Sequence, residues 1–256
     1  MDELGRQDTP VHRIDARAKT LTTLLFIVCV MSFSRYEVSA LTPFFLYPCA
    51  LMVLGRIPAA CVLKKILVAA PFALAVGLFN PFFDDRLIAA VGPWPVTGGW
   101  LSLCSILVRF VLTVSAALVL VACTGMYRLC AGLERMGVPR VLTVQLLFLY
   151  RYLFSVAEES GRMLRGMELR AAGRPLRFRV YASLVGHLLV RSMARADRVY
   201  RAMLARGFDG QIRLVQPAAV RWADVGFVCG WVLFFVCVRL WNVADALGQW
   251  LTRGLL

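Results

Sequence analysis

Trp100–Cys123 reads WLSLCSILVRFVLTVSAALVLVAC, and Arg109 is the sole charge in its 24 residues. At about 1.5 Å per residue, about 20 apolar residues cross a ~30 Å hydrocarbon layer, so this stretch spans outright. It runs directly into Thr124–Arg221, which holds 17 of the chain's 29 Lys and Arg residues. Apolar bulk and basic charge therefore occupy different parts of the chain. Of the 256 residues, 60% are hydrophobic, against about 45–50% for a soluble domain. The mean hydropathy is +0.71 and the formal net charge is +14. Intrinsic disorder is excluded by the hydrophobicity. A nucleic-acid binder accounts for the charge but not for the apolar surplus. The composition reads as all-α: a polytopic helical membrane protein with a basic aqueous portion.

Working outward, further apolar stretches run over Thr20–Phe33, Val38–Leu54, Ile66–Phe83 and Trp222–Leu240. Together these predict about five transmembrane helices, the first of marginal length. They divide the chain into N-terminal membrane helices over 1–123, a cytoplasmic coupling-helix region over 124–221, and a last crossing with its tail over 222–256. No cleavable signal peptide precedes them, since MDELGRQDTP carries acids and no apolar run. With the N-terminus inside, segments 1–20, 55–65 and 124–221 hold 24 of the 29 basic residues. The positive-inside bias then places the N-terminus in the cytoplasm and the C-terminus outside.

One apolar run competes with this topology. Val141–Val156, VLTVQLLFLYRYLFSV, is short and contains Gln145 and Arg151. It reads better as a helix packed within protein beneath the membrane than as a sixth crossing. The eight cysteines fall mostly inside apolar runs with no C-x-x-C pair, and the two histidines, His12 and His187, lack partner ligands at helical spacing. A metal site built by this chain alone is not indicated, and no cofactor is implied.

The basic insert carries the most information. Gly137 and Pro139 end a short helix, because glycine caps a C-terminus and proline cannot continue one. A long helix is predicted from Arg140 to Ala171, broken by Gly173-Arg174-Pro175. A second spans Val180–Arg206 and stops at Gly207. On the second, Val185, Leu188, Leu189, Met193, Ala196, Val199, Tyr200 and Met203 recur at three- and four-residue steps. Arg191, Arg195, Arg198 and Arg201 fall opposite, as a solvated basic face, a lipid-headgroup surface or a docking face for an acidic groove.

Both helices end alike. Arg170-Ala171-Ala172-Gly173 closes the first and Ala205-Arg206-Gly207 the second. A cation in the last turn suits the negative end of the helix dipole, worth about 0.3–1 kcal/mol, and that accounts for either end alone. The doubling inside one insert invites a second reading: small residues let a helix tip enter a narrow cleft, with the guanidinium reaching a carboxylate or backbone carbonyls. Asp209 either pairs with Arg206 or caps its turn.

Ala205-Arg206-Gly207-Phe208-Asp209, within RADRVYRAMLARGFDG, resembles the second Ala-Arg-Gly signature of the transmembrane T component of energy-coupling-factor (ECF) transporters, in the cobalt-type, CbiQ-like branch. Val11–Lys19 is similar to that family's entry into its first crossing, and Trp94–Arg109, with a Thr97-Gly98-Gly99 turn, is similar as well. At the first signature the chain departs: alanine stands where the family has arginine, and Arg170 lies two positions earlier. The resemblance implies a non-catalytic subunit of an ATP-driven importer in a bacterial inner membrane. The sequence agrees in lacking a G-x-x-x-x-G-K-[ST] loop. It further implies that Ala205, Arg206 and Gly207 form one tip docking on a pair of ABC-type ATPases. Arg170, Ala171, Ala172 and Gly173 would form the other. A separate substrate-binding membrane subunit would carry the metal, cobalt or nickel, and nucleic acid has no part. Two further readings remain open, a T component of a vitamin transporter and a basic membrane scaffold binding acidic lipid. A lipid-processing enzyme is disfavoured, because Asp84-Asp85 is the only adjacent acidic pair placed outside.

Arg109 sits about 14 Å into its crossing, where an unpaired charge is costly. Pairing with a helix carbonyl, Asn80, Asp84 or Asp85 is expected ahead of a transport role.

Overall fold

The computed structural model describes residues 9–34, 39–79, 87–91, 94–173, 175, 177–210 and 221–240, for residues 10, 87–91 and 94–97 the backbone only. Its helices are α1 (Ala16–Met31), α2 (Leu46–Leu54), α3 (Ala59–Leu78), α4 (Gly98–Thr124), α5 (Met126–Arg135), α6 (Arg140–Ala171), α7 (Phe178–Ala205) and α8 (Trp222–Leu240). Two 3-10 segments, Pro10–Arg13 and Ser39–Phe45, precede α1 and α2. The fold is that of a polytopic helical membrane protein. Its one departure from all-helix, among the described residues, is a hairpin in which β1 (Leu87–Val91) pairs antiparallel with β2 (Trp94–Thr97), Val91 opposite Trp94. There is no turn at 97–99: Gly98 and Gly99 already belong to the first turn of α4 and are buried in it.

Four helices are long and apolar enough to cross a bilayer: α3, α4, α6 and α8. The first two expected crossings are shorter. The 16 residues of α1 rise about 24 Å. The second is built from a 3-10 segment, with Pro43 inside it, running into α2. A 3-10 helix rises about 2.0 Å per residue, so Ser39–Leu54 still covers about 27 Å. The third crossing is displaced from its apolar run. It starts at Ala59 behind Pro58, so Lys64 and Lys65 fall within the helix, and it ends at Leu78; positions 80–83 of the expected run lie outside the described residues.

The chain forms two compact units, 1–132 with 218–256, and 133–217. In the first, α1 packs on α4 and α8, and an aromatic cluster fills the space between them and the 39–54 segment. Phe26 stacks on Tyr47 at 4.7 Å between ring centroids, and Trp231 meets Tyr47 edge-on at 4.9 Å. Phe33, Phe44 and Phe235 complete it. Hydrocarbon chains are as apolar as leucine, so such a bundle is held by close packing and buried polar bonds rather than by expulsion of water. The outward side chains fit that medium: Val68 and Phe72 of α3 are 77% and 78% exposed. Inside, Thr20, Thr22 and Thr23 bond back to carbonyls one turn earlier, and the Thr23 hydroxyl also meets Tyr47 Oη at 2.8 Å.

In the second unit, α6 and α7 form an antiparallel pair. Glu159 meets Arg191 and Arg195, and Phe148 near the start of α6 meets Phe208 just past the end of α7, at 6.4 Å between centroids.

Candidate functional site: two helix tips

At the end of α7, Gly207 N–H donates to the Leu204 carbonyl (2.9 Å) and Phe208 N–H to the Met203 carbonyl (3.0 Å). This is a Schellman closure, and it requires the left-handed backbone that Gly207 adopts (φ +77°). A β-carbon there would be strained, which is the physical reason for glycine after Ala205-Arg206. Phe208 folds back onto the helix pair, while Ala205, Arg206 and Gly207 stay exposed. The α5–α6 corner closes the same way, with Gly137 N–H on Glu134 and Val138 N–H on Leu133.

The first tip is built differently. α6 runs through Ala171, and Ala172 itself takes the left-handed conformation (φ +48°, ψ +47°), followed by Gly173 at φ +80°. Two successive left-handed residues turn the chain where one glycine suffices at the other tip. Arg170 is exposed in the last helical turn. Among the described residues, neither Arg170 nor Arg206 takes part in an ion pair, so both guanidinium groups are presented outward.

Between the tips sits a knot of charge. The Arg191 Nη1 group donates to Glu159 Oε1 at 3.2 Å, Arg195 to Glu159 Oε2 and to Ser155 Oγ, and Arg162 lies 3.7 Å from Glu159 Oε2. The hydrogen bond from Arg191, reinforced by the neighbouring guanidinium groups, holds the Glu159 carboxyl below its ordinary value. Arg191 and Arg195 of the expected basic face are thus both engaged by α6, Arg191 while remaining largely exposed. The signal was the Glu158-Glu159 pair in an otherwise acid-poor insert; Glu158 points away, with 74% of its side chain exposed against 16% for Glu159. Beside the knot a cavity of about 350 Å³ opens between the helices, lined by Phe148, Tyr152, Val199, Tyr200, Met203 and Phe208.

Glu159 lies 12 residues before Ala171, and Arg195 lies 11 before Arg206. Because the helices are antiparallel, those lengths run in opposite directions, each about 17 Å. The two cationic tips therefore face apart, separated by about 35 Å along the pair.

Arg109, on α4, has carbonyl partners: its Nη2 donates to Phe33 (3.0 Å) and Ser34 (2.6 Å) just beyond the end of α1. Asn80, Asp84 and Asp85 lie outside the described residues. From α8, Arg239 donates to the Ser32 carbonyl and lies over the Phe33 ring at 4.4 Å. Sequence reading missed that Arg109 and Arg239 converge on one helix end. Among the described residues, no three His, Cys, Asp or Glu side chains gather as a bound cation requires.

Apolar spanning helices and an amphipathic helix pair define a helical membrane protein. Comparison with known proteins gives the family. The profile of CbiQ, described as cobalt transport protein, matches residues 7–217, and the chain belongs to that family. It is 25% identical over 254 residues to the energy-coupling factor transporter transmembrane protein EcfT of Leuconostoc gelidum subsp. gasicomitatum, covering 90% of this chain and 93% of the relative. The EcfT of Heliobacterium modesticaldum is likewise 25% identical, over 93% of this chain and 95% of its own length. The cobalt transport protein CbiQ of Rhodobacter capsulatus is 35% identical over 95 residues, which is 36% of this chain and 39% of that protein.

Proposed function

We propose that this chain is the transmembrane coupling component of an ECF-type importer. In this reading it carries motion from a pair of ABC-type ATPases to a separate membrane subunit that binds a metal ion, cobalt before nickel. The observation that carries the reading is the placement of the tips. Two exposed arginine-bearing helix ends, about 35 Å apart and facing opposite ways, suit two separate grooves better than one. The Schellman closure supports the second tip further, since it holds Arg206 at the extreme end with no side chain bulkier than alanine beside it. Exposed apolar residues on each helix of the pair, Leu149 and Leu153 on α6 and Val185 and Leu189 on α7, offer places where a membrane partner can ride. The selective metal ligands then belong to that partner.

The reading places the N-terminus and the 133–217 unit in the cytoplasm. ATP-driven closure of the two ATPases would draw their grooves together and tilt α6 against α7 about the Glu159 knot. The test is co-purification in detergent with the ATPases and substrate subunit encoded alongside, followed by radioactive cobalt uptake in vesicles. Wild type captures the ATPases and supports uptake. Arg206→Glu loses both or hydrolyses ATP without uptake; unaltered assembly and uptake in that variant overturn the assignment. The near full-length relatives are named for energy coupling and not for a metal, which leaves room for a second cargo reading, the T component of a vitamin transporter. Retained ATPase capture with no cobalt or nickel uptake is its signature.

A further inference from the structure

At the end of the first unit where the 133–217 insertion leaves and returns, polar groups are buried in unusual density. Lys19 is 2% exposed and its Nζ donates to the Cys123 carbonyl at 3.2 Å, in the last turn of α4. Arg128 Nη1, on α5, donates to the His12 carbonyl at 3.1 Å. Asp224 is 3% exposed. Its Oδ1 accepts from Asp15 N–H (2.8 Å) and its Oδ2 from Arg221 N–H (2.7 Å), so one carboxylate caps α8 and grips the start of α1. Asp15 in turn caps α1 through Arg17 N–H. Gly132 lies so close to α1 that a β-carbon would come within 3.0 Å of Ala16 Cβ.

The outgoing chain is thus anchored at Cys123, Arg128 and Gly132, and the returning chain at Arg221 and Asp224. Apart from Arg221, which is held by Asp224, each of these reaches the same short segment, residues 12–19. We propose that residues 12–19 form a buckle that holds the two ends of the insertion at a set separation, with Lys19, Asp15 and Asp224 as its positioning residues. Its use in transport rests on the coupling role proposed above: force applied to the helix pair would otherwise splay the exit from the re-entry point and be lost as local bending. Direct bonds between the two ends are not needed, because α1 serves as their common cross-piece. Buried charges that bond backbone carbonyls and amides are costly to leave unpaired, so such a clasp opens as a unit.

The experiment is hydrogen exchange followed by mass spectrometry on the full chain in detergent, with wild type, Lys19→Met, Lys19→Arg, Asp224→Asn and the gentler Arg128→Gln. Arg128 ties the outgoing side to His12 and Asp224 ties the returning side to Asp15, with no bond between the two; the Lys19 ammonium bonds Cys123 but also lies within electrostatic reach of Asp224, so Arg128→Gln is the cleaner probe. The buckle requires exchange to cross between the two sides. Lys19→Met and Arg128→Gln speed exchange at 221–226 as well as at 123–130, by about tenfold. Asp224→Asn does the same at 123–130, α3 keeps its wild-type rate, and Lys19→Arg restores protection. Faster exchange confined to each residue's own partner segment overturns the buckle. If Lys19→Met fails to fold, Arg128→Gln, at an exposed position, decides between the two outcomes. In the assembled transporter Lys19→Met lowers uptake per ATP hydrolysed while the complex is recovered intact; an unchanged ratio in an intact complex overturns the transport part. If wild type captures no ATPase, the coupling role falls and the exchange data still judge the buckle.

Discussion

Ala172 carries a left-handed backbone without being glycine. For an L-residue this costs about 1–2 kcal/mol, partly offset by the smaller freedom of alanine in the unfolded chain. Ala172→Gly therefore raises stability by about 0.5–1 kcal/mol, read as a higher thermal midpoint of the purified chain, while Gly207→Ala at φ +77° lowers it by about 1 kcal/mol. A midpoint lowered by Ala172→Gly would show that the first tip relaxes to another turn. Arg109 presents a different balance. One terminal nitrogen serves two carbonyls beyond α1, where a cation also meets the negative end of the helix dipole. Arg109→Leu costs about 2 kcal/mol of stability. Uptake that survives in an intact complex marks Arg109 as structural; loss of uptake at full stability would give it a transport role. Its need of a partner was legible from position alone. The partners themselves were not, because backbone carbonyls past a helix end have no signature in side-chain sequence.

At the scale of elements, α6 and α8 begin and end where residue chemistry places them: Pro139 starts α6, Gly173 stops the chain beyond it, and α8 covers the expected Trp222–Leu240. α3 and α4 extend past their apolar runs, since hydropathy measures the thickness of hydrocarbon crossed and not the length of the helix crossing it. The α6–α7 pair shows a second gap. Helical periodicity placed Arg191 and Arg195 away from the apolar stripe, and only the antiparallel pairing brought them to Glu159. Because binding to these guanidinium groups depresses the Glu159 carboxyl, its contribution is complete above the unfolded carboxylate range, near pH 4.3, and is lost as acidification passes below that point. Hydrogen exchange of α6 and α7 is therefore expected to accelerate on acidification below about pH 4. Glu159→Gln should exchange faster at neutral pH and lack that acid step. An identical acid profile in the variant would remove Glu159 from the centre of the knot.

For the whole molecule, membrane character and family were legible from composition, charge segregation and the Ala205-Arg206-Gly207 signature, while α6 leaves a topological choice, since by length and hydropathy it also qualifies as a span. The proposed topology expects reporters fused after Gly137 and after Gly210 to report the same, cytoplasmic, side. Opposite sides would mean that α6 inserts, and both tips, which follow it in the chain, would then lie outside, away from any cytoplasmic ATPase. Local chemistry was enough for the helices, their stops, the excess of arginine in one insert and the Ala205-Arg206-Gly207 tip, because hydropathy, glycine and proline act over a few neighbouring residues. What became of the charges was settled by folding. Asp15 reaches Asp224 across 209 positions and Lys19 reaches Cys123 across 104. Arg109 and Arg239 meet at the far end of α1, and Glu159 gathers three arginines. Electrostatic and hydrogen-bond partners are chosen by distance in space, which a chain acquires only when its helices pack.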